Sequence, residues 1–212
     1  MNDEEAARLR AGVSRGDYSA MADLARRLYA AGLGTREVVR GCYGVEFPEE
    51  FHAVFEVPAD VGLVVNYTYL PWQLLVPPSR GGPALSASLI LGDAERRLFA
   101  RDPDLVPLMS LMAAGTTLKS DIIGYRLSWL RERRTDVWGV ADTAEPEDPI
   151  VHVGGSLVEV LRRYHAEHLE FYAEIYARPD NRGFGAVRES MVDEARRALA
   201  RVEAIGRRAA GR

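Results

Sequence analysis

The sequence predicts an α+β domain: a mixed or antiparallel sheet packed against helices, with a helical N-terminal extension and two long C-terminal helices. Three observations lead there. Apolar residues at helical spacing dominate both ends of the 212-residue chain. Between them the period changes to short runs of valine, isoleucine and aromatic residues at 63–69, 121–127, 136–140 and 150–153. The stretch Gly154-Gly155-Ser156-Leu157-Val158-Glu159 carries the Ser-x-x-Glu signature in which hydroxyl and carboxylate cap each other's backbone at a helix start.

Each element has a local reason. Asp3 to Val13 reads as a short helix, and a second begins near Asp17 with Met21, Leu24 and Leu28 on one face before Gly32 ends it. Thr35 can cap a third through Val38 and Val39. This helix meets a fourth at Gly44, with Pro48 opening the new helix where its missing N–H has no intrahelical partner anyway. Glu49 and Glu50 then sit at the positive end of the helix dipole, and Phe51, Val54 and Phe55 follow at core spacing. Leu63 to Tyr69 suits a strand, and Trp72 to Val76 a second short extended piece after Pro71.

Beyond it, Ser79 to Pro83 is a loop, Leu85 to Leu91 a strand and Ala94 to Ala100 a helical turn ended by Asp102 and Pro103. Leu105 to Leu118 is uncharged, broken by Pro107 and Gly115, and reads as a helix under the surface. Asp121–Leu127, Asp136–Val140 and Ile150–Val153 are three strands, the first two joined by the arginine-rich SWLRERRT segment. From Ser156 a helix runs to about Ala177, with Leu157, Leu161, Tyr164, His168, Phe171 and Ile175 on its apolar stripe. A last helix covers roughly Ala186 to Ile205 and carries Val187, Met191, Leu199 and Val202 inward.

Composition excludes several function classes. A hydrophobic content of 47% supports a real core. The formal charge of −4, from 31 acidic and 27 basic residues, argues against general affinity for nucleic acid or anionic membranes. Only Lys119 among the basic residues is lysine, a bias that fits a GC-rich genome. Cys42 stands alone, so neither an internal disulfide nor a thiolate zinc site can form, and its neighbours fit a buried structural thiol. The acidic start MNDEEAARLR lacks the blocks of a secretory signal, and the uncharged run Val61–Ser79 is interrupted by Asn66, Pro71, Gln73, Pro77 and Pro78; a cytoplasmic location is expected.

Reactive chemistry has little support. His165 and His168 flank Glu167, but zincin and di-iron spacings are not met, and His168 falls in an apolar stripe where a core histidine with one hydrogen-bond partner is expected. His52 and His152 read as structural. The nucleophile elbow is missing, and Lys119-Ser120 lacks the glycines of a phosphate loop. The acidic groups at Asp102 and Asp104, and at Glu145, Glu147 and Asp148, read as solvated turns. Neither cofactor nor metal is expected. Trp129 with Arg131, Arg133 and Arg134 is the one cluster that joins an aromatic to several guanidiniums, the side chains enriched at interaction hot spots.

The same residues carry a resemblance. GVEFPEEFHAVF resembles the helix, glycine, proline, helix entry of the SUKH superfamily, a group that includes bacterial toxin-immunity proteins and cell-wall synthesis regulators. IIGYRL, DVWGV and IVHV are similar to its later strands, and GGSLVEVLRRY to its closing helix; the match covers about half of the chain. Family members often have an Asn-Gly turn after the proline-led helix, where this chain has Val57, Pro58, Ala59 and Asp60. The resemblance divides the chain into an N-terminal helical extension at 1–34, a SUKH-like domain at 35–177 with an insertion at about 77–118, and a C-terminal helical segment at 178–212 packed on the same domain.

It implies a mixed sheet with packed helices and a role in recognising another protein, such as a toxin domain, rather than converting a substrate. Trp129, Arg131, Arg133 and Arg134 are then the expected contact patch. The alternative is a small enzyme that assembles His52 or His152 with a distant carboxylate; a nucleic-acid adaptor is a third reading.

Overall fold

The computed structural model describes residues 3–56, 65–66, 69–83, 89–111, 122–140, 149–182 and 186–211. Expectations for Val57–Asp60, for Leu85–Ser88, for 112–121 with Lys119 and Ser120, and for Glu145, Glu147 and Asp148 lie outside the described residues. The chain runs through α1 (Asp3–Ala11), α2 (Tyr18–Ala30), α3 (Thr35–Tyr43), α4 (Glu49–Phe55), β1 (Val65–Asn66) and α5 (Leu70–Leu74). It continues through α6 (Leu89–Arg101), β2 (Leu105–Leu111), β3 (Ile122–Arg126), α7 (Leu127–Arg131), β4 (Val137–Val140), β5 (Val151–Gly154), α8 (Leu157–Ala177) and α9 (Glu189–Ala210). The five strands form one sheet in chain order, every described pairing antiparallel, so the α+β class holds and the sheet is antiparallel rather than mixed.

The N-terminal helices form as their caps dictate. Asp17 accepts from the Ala20 N–H, and Met21, Leu24 and Leu28 are fully buried. The α3 start differs slightly from expectation: Gly34 rather than Thr35 is the cap residue, and the Glu37 carboxylate accepts from its N–H at 2.8 Å. Gly44 ends α3 at φ +71, a left-handed conformation that only glycine adopts without strain, and the Arg10 guanidinium lies where a side chain would project. Pro48 then caps α4, which buries Phe51 and Val54. Side chains from α1, α2 and α3 join those of the sheet and of α8 and α9 in one continuous core.

Three expectations fail on described residues. The segment Trp72–Val76 is not extended: Pro71 sits in the first turn of α5, the position that starts a helix, and Trp72 stacks on Phe51 at 4.3 Å while its indole N–H donates to the Leu108 carbonyl. Leu105–Leu111 is strand β2 rather than a helix. Its lack of charge reflects burial on both faces, and Pro107 is tolerated because the β2–β3 register shifts there. A Cβ on Gly124 would overlap the Val106 carbonyl at this irregularity, so close approach of the two strands requires glycine. The strand expected at Leu85–Leu91 is helical where it is described: Leu89–Leu91 begin α6, because the helix expected at Ala94–Ala100 extends further towards the N-terminus than its own periodicity showed.

The C-terminal half matches more closely. Ser156 caps α8 by accepting from the Glu159 N–H at 3.1 Å, while Glu159 reaches back one residue further than a standard capping box, to the Gly155 N–H at 2.8 Å. Buried Glu50 completes this helix start from α4: it accepts from the Leu157 N–H at 2.7 Å, the Val158 N–H at 3.2 Å and the Tyr125 hydroxyl at 3.1 Å. A carboxylate at the positive end of a 21-residue helix is favourably placed. On α9 the inward residues are Val192, Ala195, Ala198, Val202 and Ile205, so the stripe is rotated from the one expected and Met191 and Leu199 are only half-buried. Phe171, on the outer half of α8, is exposed.

Candidate functional site

The site is built where β3, α7 and β4 meet. Helix α7 ends in a Schellman motif: the Arg133 N–H donates to the Leu130 carbonyl at 3.0 Å and the Arg134 N–H to the Trp129 carbonyl at 2.9 Å. That motif needs a left-handed residue at the position of Arg133, whose φ is +60. Glycine usually fills it; here an exposed arginine does. The tight turn folds Arg134 back over its own helix, and its guanidinium carbon lies 3.1 Å from the centre of the Trp129 ring.

The neighbouring strands extend the stack. Trp138 on β4 lies opposite Gly124 on β3 and His152 on β5, so it shares a sheet face with Arg126. Its ring meets Trp129 edge-on at 4.8 Å, carries the Arg126 guanidinium at 4.5 Å and abuts the His152 imidazole at 5.6 Å. Each such contact contributes about 0.5–1.5 kcal/mol, so the array holds its members in one arrangement. Two acidic residues lock the edges: Asp102 pairs with Arg126 at 3.0 Å, and Asp136 lies 3.5 Å from Arg134 and 3.0 Å from the His152 Nε2. Asp104 accepts from the Ser128 N–H at 2.8 Å and caps α7.

Among the four residues singled out from sequence, the structure brings Trp129 and Arg134 into direct contact and leaves Arg131 and Arg133 exposed at the end of the same helix, with no ion pair to a described residue. Sequence reasoning missed Trp138, Arg126 and Asp136. The signal was present: alternation along IIGYR and DVWGV sets Arg126 and Trp138 on the face opposite Tyr125 and Val137. Asp102 and Asp104 are not simply solvated turns, since one braces Arg126 and the other starts α7. Two donors within the array, Trp138 Nε1 and Arg126 Nε, are buried without a hydrogen-bond partner among the described residues.

The histidines separate by environment. His152 and Asp136 form the one direct imidazole–carboxylate contact among the described residues, and their side chains are 48% and 24% exposed. His52 and His165 are buried, each with an Nε2 that has no hydrogen-bond partner among the described residues, and burial pushes both down to about 4. Burial lowers His168 as well. Among the described residues no group of three or more histidine, cysteine or acidic side chains could hold a metal ion. Burial raises the Cys42 thiol to about 12, which keeps it protonated and unreactive at neutral pH. No described helix is long and apolar enough to cross a membrane. Searches of protein-family models, of curated proteins and of solved structures found no match to this chain.

Proposed function

We propose that this protein is a non-enzymatic, cytoplasmic protein-binding module of the SUKH type, an immunity protein that neutralises a toxin domain by covering its active surface. The observation that carries the reading is the end of α7: an arginine held left-handed at an exposed turn where glycine would serve, beside a stacked Trp129–Arg134 pair. Backbone strain kept in place by surrounding structure, at a position that contributes nothing to the core, is characteristic of functional surfaces. Tryptophan and arginine are the side chains that dominate binding energy at protein interfaces, and Arg131 and Arg133 suit a partner surface bearing carboxylates.

The test is capture of the toxin domain encoded in a neighbouring gene. Replacing Arg131, Arg133 and Arg134 together by alanine should raise Kd by about 30-fold or more, the loss of one hot-spot contribution, with the circular dichroism spectrum unchanged. Undiminished capture rules the patch out. The His152–Asp136 contact favours a second reading, an enzyme whose histidine and carboxylate come from distant segments. Its open, water-exposed position is a poor setting for general acid–base catalysis, which gains most where water is excluded. Turnover of an ester or phosphoester panel that disappears in His152→Gln would establish it over the binding role.

A further inference from the structure

We propose that the cleft between α3, α5, α6 and β2 is a receptor for a single carboxylate group. Its walls include Arg15, Tyr43, Glu95, Phe99, Leu70 and Pro71. Arg15, in the α1–α2 connection, is half-buried with its guanidinium 5.3 Å above the Phe99 ring, and makes no hydrogen bond or ion pair with a described residue. Tyr43 is 5% exposed, and its hydroxyl bonds to no described residue and is not enclosed, so it is open to a ligand in the cleft. A half-buried cation without an anion partner among the described residues and a free hydroxyl donor, lining one cleft, are two groups that a carboxylate can engage at once.

Size and charge narrow the ligand. The inner free volume is about 30 Å³, where one water needs about 10–15 Å³, so the cleft takes in a group as small as a carboxylate while its open side leaves room for whatever carries that group. Glu95 fixes the pH range. One of its oxygens accepts from the Leu70 N–H at 2.6 Å, leaving the other to carry a proton, and burial raises its pKa to about 7. Below that pH the carboxyl donates to a bound carboxylate; above it the two anions repel. The titratable groups around Glu95 are Arg15 across the cleft, Tyr18 on α2 and Tyr43 on α3, with Arg26 acting on Tyr18; α5 and β2 contribute none. Around Arg15 lie Asp102, Asp104 and Arg131, and the two acids are already engaged with Arg126 and Ser128.

The proposal does not depend on the α7 surface, which contributes no residue to the walls of the cleft. Acetate is the probe, titrated into the full chain and followed by the Leu70 and Tyr43 amide resonances. A saturable shift with Kd of roughly millimolar order at pH 6 is expected, weakening about tenfold at pH 8. Arg15→Gln should abolish it. Glu95→Gln keeps an acceptor for Leu70 and an N–H donor at every pH, so it should bind acetate equally at pH 6 and 8. Acetamide, equal in size and uncharged, should not bind.

Two short peptides assign the source of the group: one with an internal glutamate and an amidated end, one apolar with a free C-terminus. Tighter binding of either than of acetate points to a polypeptide donor, and binding of acetate alone points to a free small acid. The proposal is overturned if acetate leaves those resonances unmoved, if Arg15→Gln binds as tightly, or if acetamide competes.

Discussion

Arg133 offers a test in which stability and binding move in opposite directions. A non-glycine residue in the left-handed region costs about 1–2 kcal/mol, while glycine gives back about 0.5–1 kcal/mol through the larger entropy of its unfolded chain. At φ +60, Arg133→Gly should therefore stabilise the fold by about 0.5–1 kcal/mol, or about 1–3 °C in Tm for a chain of this size. Arg133→Ala removes the same charge but keeps the backbone penalty, so it should stay at or below the parent stability. The difference between the two variants isolates the turn from the guanidinium.

Urea denaturation followed by circular dichroism gives that difference. Capture of the toxin partner proposed for this chain gives the second readout, expected to weaken equally in both variants, because each lacks the side chain and both keep the hydrogen bonds of the Schellman turn. If alanine at 133 proves as stable as glycine, the strain argument is wrong. If Arg133→Gly binds as well as the parent, the strain serves no contact with the partner.

Three further outcomes follow from the packing. Glu50→Ala leaves the Leu157 and Val158 N–H groups and the Tyr125 hydroxyl without their acceptor and should destabilise by about 3–4 kcal/mol, with Glu50→Gln costing less; a loss under 1 kcal/mol in denaturant titration would mean water replaces the carboxylate without penalty. Asp102→Asn removes the charge that holds Arg126 over Trp138 and should cost about 1 kcal/mol or less, the pair being partly exposed, while weakening partner capture and shifting tryptophan emission; unchanged emission would place the brace elsewhere.

Stability should also depend on pH. The unfolded chain binds protons at His52 and His165 below 6.5, whereas the folded state resists until about 4, so both contributions are lost as pH falls through that window. Glu95 opposes them, its folded form holding a proton up to about 7, and the net loss between pH 6.5 and 5 should be on the order of 1–2 kcal/mol, enlarged in Glu95→Gln. Greater stability at pH 5 than at 6.5 would contradict the burial of the two imidazoles.

What could be read from the sequence was local chemistry. Asp17, Gly44, Pro48 and Ser156 each fix a helix end through a bond or a backbone angle a few residues away, and the structure keeps all four. Strands β3, β4 and β5 were visible because β-branched and aromatic residues cluster between turn residues. Strand β2 was not, since an uncharged segment with an internal proline fits a buried helix and a doubly buried strand equally until its neighbours are known. Glu50 looked like a dipole-compensating residue of its own helix; its partners on α8 lie 107 and 108 positions away, beyond any local rule. The same limit applied to the site. Trp129 and Arg134 are close in sequence and were found together, whereas Trp138 and Arg126 needed the strand register, and Arg15, Tyr43 and Glu95 meet only through tertiary packing.

The two faces of β3 and β4 connect the core to the proposed surface. Tyr125 and Val137 pair on the inner face, where the Tyr125 hydroxyl joins Glu50 and the start of α8. Gly124 and Trp138 pair on the other, one residue along each strand, and Trp138 carries Trp129 and Arg126 there. Because successive residues in a strand alternate sides, a shift of either strand by one position would bury Trp138 in place of Val137 and expose Tyr125. The Glu50 contacts therefore do more than start a helix: they hold Tyr125 of β3 inward, the pairing of Gly124 with Trp138 then sets Trp138 on the other face, and α7 has Asp104 at its start and Trp129 against Trp138 at its end. An arginine can occupy the strained position 133 in such a frame because the helix before it and the strand after it are both fixed independently. The rigidity that a binding surface needs thus comes from the core face of the same two strands.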